Sequence, residues 1–146
     1  MINSLSLLIS TFLYIGKIKY APGTFASLAT LFIWILFIPE DYFIRILITF
    51  FLIIIGFISI ELSLSNFREK DPQSIVIDEV AGMSIALLFV SDILIMLISF
   101  LIFRVLDILK PSIIFRSQEF NKSIGVIADD MLAGLLTLIL VWGYLF

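Results

Sequence analysis

The 146-residue chain is 62% hydrophobic and only 14% charged, with a formal net charge of -3. Soluble domains of this size are usually about 45–50% apolar and about 25% charged, so an ordinary soluble globule and a disordered chain are both excluded as first readings. The acidic balance provides no basic field for phosphate backbones, so no nucleic-acid partner is expected.

Residues 1–15 are apolar with scattered Ser and Thr and carry no basic stretch or small-residue cleavage site. An interfacial or packed helix is expected there rather than a signal peptide. Gly16-Lys17 and Ala21-Pro22-Gly23-Thr24 follow. A Pro-Gly turn would deliver Thr24 to a helix N-terminus, where free N–H groups can bind phosphate; Thr is equally an ordinary N-cap. Residues 26–38 form an apolar run stopped by Pro39-Glu40-Asp41, and 42–60 form a second, interrupted only by Arg45. A span needs about 20 residues to cross roughly 30 Å of hydrocarbon. The second run suffices, and the first must borrow flanking residues or thin the bilayer.

Residues 61–79 are polar, and Asp71-Pro72 within them suits a helix start. Residues 80–103 are apolar apart from Ser91-Asp92, 104–122 are polar and basic, and 125–146 are apolar beyond Asp129-Asp130. Lys17, Lys19, Arg68, Lys70, Arg104, Lys110, Arg116 and Lys122 all fall in three polar segments, with Arg45 the exception. The positive-inside rule puts those segments in the cytoplasm, which requires an even number of crossings between them. Residues 80–103 are too few for two full spans at 1.5 Å per residue. They are read as a shallow helical hairpin turning at Ser91-Asp92, with a single span as the rival. The expected fold is all-α: a small polytopic integral membrane bundle with short or re-entrant helices, one domain over 1–146, and an active site at the cytoplasmic face.

Histidine and cysteine are absent. That removes His-ligated zinc, Ser-His-Asp triads, phosphohistidine, thiolate nucleophiles and disulfides. Carboxylates, Lys, Arg, Ser, Thr and Tyr remain, together with any hard cation that oxygen ligands can hold. Two acid pairs stand at the entrances of apolar helices, each followed by small residues: Asp78-Glu79 before Ala81-Gly82, and Asp129-Asp130 before Ala133-Gly134. Acids at the bilayer centre cost about 2.5–3.5 kcal/mol each. These four must sit at the interface, line a wet cavity or hold a cation. Plain macrodipole charges would explain one pair. Two pairs beside small residues, which let membrane helices approach closely, point to convergence. Magnesium would relieve the resulting repulsion. Neighbours at i and i+1 do not share a helix face, so one acid of each pair is expected on the metal. Arg104, Asp107 and Lys110 recur every three residues and form either a salt-bridge ladder or an anion site.

The residues resemble the phosphatidylglycerophosphatase A family of bacterial membrane lipid phosphatases. The resemblance is carried by Gly16-Lys17 with Ala21-Pro22-Gly23-Thr24, by 71–79 ending in Asp78-Glu79, by 103–111 with Arg104, Asp107 and Lys110, and by 125–134 with Asp129-Asp130. These four blocks run in order through residues 16–134. The resemblance implies magnesium-dependent hydrolysis of phosphatidylglycerophosphate to phosphatidylglycerol and phosphate in the inner membrane. It implies Asp78, Glu79, Asp107, Asp129 and Asp130 as the motif acids and Lys17, Arg104 and Lys110 as the motif cations. Taken with the residue readings above, the acids are expected to be catalytic, the two pairs to hold the metal, and Lys17, Thr24, Arg104 and Lys110 to bind the phosphate. Ala26 stands where the family usually has Gly, Ile113 where a second Pro is common, and Asn121-Lys122-Ser123 replaces a glycine-rich approach. Two other classes fit acids in membrane helices: a small cation or proton carrier, and a non-catalytic membrane subunit. A phosphatase of another lipid phosphomonoester is the chemical neighbour.

Overall fold

The structure, a computed structural model, describes residues 2–64, 73–110 and 122–145. The Asp71-Pro72 helix start and the basic residues Arg68, Lys70 and Arg116 lie outside the described residues. The described residues form six α-helices and no strand: α1 (Ile2–Ser10), α2 (Pro22–Phe37), α3 (Tyr42–Leu64), α4 (Ile77–Ala86), α5 (Ile93–Leu109) and α6 (Lys122–Leu145), with a single 3-10 turn at Ile15–Lys17. An all-α architecture is what so apolar a chain needs in lipid, since a helix satisfies its own backbone.

Helix starts follow local chemistry. Asp41 accepts the Ile44 N–H at 3.0 Å, and Asp92 accepts the Ile95 N–H at 3.0 Å. Each is a helix-entry cap. Pro22 begins α2, where a missing N–H costs nothing. Several hydroxyls within the apolar helices are satisfied internally: Ser84 donates to Val80 O and Thr137 to Ala133 O, both at 2.8 Å, whereas Thr49 Oγ1 is buried without a hydrogen-bond partner. Such back-bonding lets Ser and Thr sit inside an apolar bundle.

Helix α4 is the centre of the molecule. Every residue of it except Glu79 is buried. Met83, Ala86 and Leu87 pack with Leu31 and Trp34 of α2, Phe103 of α5 and Ala133 of α6. Val80 and Ile77 pack on the other side with Ile60 of α3 and Val126 and Ile127 of α6. The tightest crossing is with α6: a Cβ on Gly82 would overlap the Asp130 carbonyl, and one on Gly134 would overlap the Gly82 carbonyl. Helix α1 packs on α3, and its last carbonyl, Ser10 O, accepts the Val76 N–H at 2.9 Å just before α4.

Residues 80–103 are two helices rather than one, joined through 87–92. Helix α5 continues past Phe103 to Leu109, with Arg104 and Asp107 paired within its last turns at 2.6 Å. The join is tied down by Arg45. Its buried guanidinium donates to the carbonyls of Pro39 and Val90 and lies 5.4 Å from the Trp34 ring. Tyr42 and Trp142 flank Phe89 with ring centroids 5.7 and 5.9 Å away. The starts of α2 and α4, the end of α5 and the acid pair of α6 meet at the opposite pole.

Among the described residues, two helices are long and apolar enough to cross a bilayer, over Tyr42–Ser63 and Ile124–Gly143. Phe43, Phe50 and Phe51 on α3 and Ile139, Leu140 and Trp142 on α6 are exposed. Large apolar side chains left exposed along two such helices suit contact with lipid. The protein is membrane-associated.

Candidate active site

At the polar pole lies a cavity of about 380 Å³ lined by the α2 start (Ala21, Pro22, Gly23), Gln73 and Ile75, Asp78 and Glu79 of α4, Arg104, Asp107, Ile108 and Lys110 of α5, and Asp129 and Asp130 of α6. Of the nine residues singled out in the sequence, seven line it. Lys17 and Thr24 do not. Lys17 is exposed, with its Nζ 4.3 Å above the Tyr14 ring. Thr24 is half-buried in the first turn of α2, its N–H bonded to Ala21 O at 3.0 Å. Gln73, Ile75 and Ile108 line the cavity without having been singled out.

Asp78, Glu79 and Asp130 each offer a carboxylate oxygen to one group, all within 4.8 Å of one another. Both acids of the first pair therefore join, where only one was expected; at the first turn of α4 both side chains can lean toward the cavity. In the second pair the two acids part. Asp130 joins the group, whereas Asp129 takes Lys110 Nζ at 2.7 Å on one oxygen and the Asp130 N–H at 3.1 Å on the other.

Gly23 permits this closeness, because a Cβ there would overlap Glu79 Oε1. Lys110 reaches Asp129 from a left-handed backbone at the end of α5, φ 42° and ψ 65°. A non-glycine residue pays roughly 1–2 kcal/mol for that conformation, so the ion pair is held at some strain.

Two full charges about 4.8 Å apart repel by about 3 kcal/mol at an effective dielectric near 20. Three carboxylates this close, Asp78 and Asp130 buried and Glu79 half-buried, need protons or a cation. Glu79 lies outside the two spanning helices, and burial pushes its carboxyl up to about 7; Asp107 adds to the rise, while the Asp78 hydrogen bond and Arg104 oppose it. Its Oε2 is buried without a hydrogen-bond partner. An oxygen-only donor set with an unmet acceptor fits a hard metal ion. The cations differ in character. Burial works against the Lys110 ammonium, but the bond to Asp129 and the charges of Asp129, Asp130 and Asp107 outweigh it and raise its pKa. Arg104 is anchored to Asp107, and its Nε is buried with no partner.

A helical, lipid-facing chain whose acids and cations meet in one cavity has the groups to hold a phosphate beside a hard cation. The model of the phosphatidylglycerophosphatase A family matches residues 8–145, and the chain belongs to that family. It is 32% identical over 94% of its length to a Bacteroides thetaiotaomicron protein with the provisional name phosphatidylinositol-3-phosphatase, covering 91% of that protein. It is 31% identical to phosphatidylglycerophosphatase A of Escherichia coli, over 84% of this chain and 73% of that one. The corresponding Haemophilus influenzae protein is 29% identical, over 87% and 80%. No solved structure matches the chain significantly. Family membership makes the chain an enzyme, a lipid phosphatase, and decides against the carrier and the non-catalytic subunit.

Proposed function

We propose that the chain hydrolyses phosphatidylglycerophosphate to phosphatidylglycerol and inorganic phosphate with magnesium, from the cytoplasmic face of a bacterial inner membrane. The observation that carries this reading is the meeting of Asp78, Glu79 and Asp130 beside Arg104 and Lys110 in one cavity. Asp78, Glu79 and Asp130 would hold the ion. Magnesium would supply Lewis acidity at the phosphoryl group when bound.

The chain's own residues do the rest. Arg104 and Lys110 pair with the non-bridging oxygens of the phosphate, in the bound substrate and in the transition state alike. The α2 N-terminus at Ala21, Pro22 and Gly23 adds its partial positive charge to the same wall. Asp107 and Asp129 keep the two cations aimed inward through contacts of 2.6 and 2.7 Å. Water supplies the oxygen that stays with phosphorus, and the lipid hydroxyl leaves with a proton.

A second reading, another lipid phosphomonoester as substrate, is favoured by the name of the Bacteroides relative. Phosphate release from phosphatidylglycerophosphate, phosphatidic acid and phosphatidylinositol 3-phosphate, each with magnesium and with EDTA, tests both. The expected result is turnover of phosphatidylglycerophosphate that chelation abolishes. Full activity in EDTA removes the metal, and a preference for the inositol lipid moves the substrate to the second reading.

The membrane arrangement belongs to the same proposal. Helices α3 and α6 cross, α2 crosses with help from its flanks, and α4–α5 form a re-entrant hairpin, making the chain multi-pass. Lys17 and Lys19 are exposed near the α2 start that lines the cavity, so the positive-inside rule puts that pole in the cytoplasm. The lack of native cysteine makes labelling clean. Lys19→Cys should resist an impermeant thiol reagent in intact cells and Asp41→Cys should react. The reverse pattern inverts the orientation.

A further inference from the structure

We propose that Ser27 is a positioning residue that sets the guanidinium plane of Arg104 for the substrate phosphate; the inference rests on the lipid-phosphatase reading above. Ser27 is fully buried on α2. Its hydroxyl donates to Gly23 O at 2.8 Å and accepts from Arg104 Nη1 at 3.4 Å, across the boundary between α2 and α5. One hydroxyl can do both, having one proton and two lone pairs. The same Nη1 donates to Asp107 Oδ2 at 2.6 Å. A single nitrogen is thus held by acceptors from two helices, which fixes the plane of a rigid fork.

The orientation leaves something over. Arg104 Nε is buried with no partner, in a residue that lines the cavity. A buried donor without an acceptor is costly, and an arriving phosphate oxygen is the acceptor that chemistry suggests. Ser27 also ties that fork to the stretch of α2 that lies against Glu79, since its own acceptor is the carbonyl of Gly23. Phosphate-binding and carboxylate walls are therefore registered through one side chain.

A merely structural serine predicts something different. Back-bonding to the i-4 carbonyl slightly destabilises a helix, and Ala has the higher helix propensity. A structural Ser27 would accept Ala with no kinetic effect and no loss of melting temperature.

Ser27→Ala and Ser27→Cys test the assignment, Cys being a similar shape with a poor acceptor, and Ser27→Thr keeps the hydroxyl. Losing one net hydrogen bond corresponds to about a 5-fold change in affinity. The Ala and Cys variants should raise KM for the lipid and the inhibition constant of inorganic phosphate by about that factor, with little change in kcat or in magnesium activation. Thr should restore both. Calorimetric titration with inorganic phosphate and magnesium reads the same affinity without turnover. Wild-type protein that binds phosphate yet hydrolyses no lipid would strike the function reading and leave the Ser27 comparison standing. Unchanged phosphate affinity in both Ala and Cys variants, or a loss confined to kcat, would overturn the positioning role.

Discussion

Asp78→Asn, Glu79→Gln and Asp130→Asn are each expected to lose more than about 100-fold in phosphatase activity, because removing residues that only support a metal ligand already costs about 10–100-fold. The amides keep shape and remove charge from a group whose oxygens lie within 4.8 Å. Magnesium affinity should fall with activity. Without metal, the same variants should melt at or above the wild-type temperature, since each relieves repulsion among clustered carboxylates. Gain in metal-free stability with loss of activity is the signature of a site rather than of a structural charge. Asp129→Asn should behave differently. Its carboxylate holds Lys110 at 2.7 Å, so it should lose about 10–100-fold, with phosphate affinity affected more than metal affinity. Near-normal activity in all four folded variants would reduce these acids to membrane-edge charges.

Gly134→Leu is expected to abolish accumulation of active protein, and Gly134→Ala to lose activity while still folding. A single Cβ at this position already overlaps the Gly82 carbonyl. The clash is with backbone, so no rotamer can relieve it and α4 must move away from α6. Overpacking of this kind costs about 1–3 kcal/mol. The displacement separates Asp78 and Glu79 from Asp130, so catalysis should fail before the fold does. Gly143→Ala is the control on the same helix: a Cβ there would meet nothing within 4 Å, and helix propensity favours Ala by about 1 kcal/mol. Melting curves and activity in detergent would separate the two glycines. Equal tolerance at 134 and 143 would show that the close crossing is not required.

Much of the helical frame was legible from the chain alone. Apolar runs near 26–38, 42–60 and 125–146 became α2, α3 and α6, because a backbone in lipid has to satisfy itself by helix formation. The break near Ser91-Asp92 was legible because Asp92 is a helix cap. The small residues after each acid pair announced the close crossing that Gly82 and Gly134 make. The resemblance of four blocks to the phosphatidylglycerophosphatase A family pointed to the chemistry. Helix ends were less legible: the apolar run ends at Phe103 where a charge enters, while α5 runs on to Leu109 with an i, i+3 ion pair in its last turns.

Sequence determined the helices, their lipid-facing character and the inventory of acids and cations. Tertiary structure decided which of them meet. Successive helical residues point about 100° apart, so the rotation of a helix about its axis sets which partners each of two neighbours meets. That rotation is set by packing against other helices. Hence Asp130 joins Asp78 and Glu79 while Asp129 turns to Lys110. Lys17 and Thr24 belong to the same sequence blocks yet lie off the cavity wall. Ser27 had no charge to draw notice; it lies one turn beyond Gly23 and matters only because α5 brings Arg104 against it.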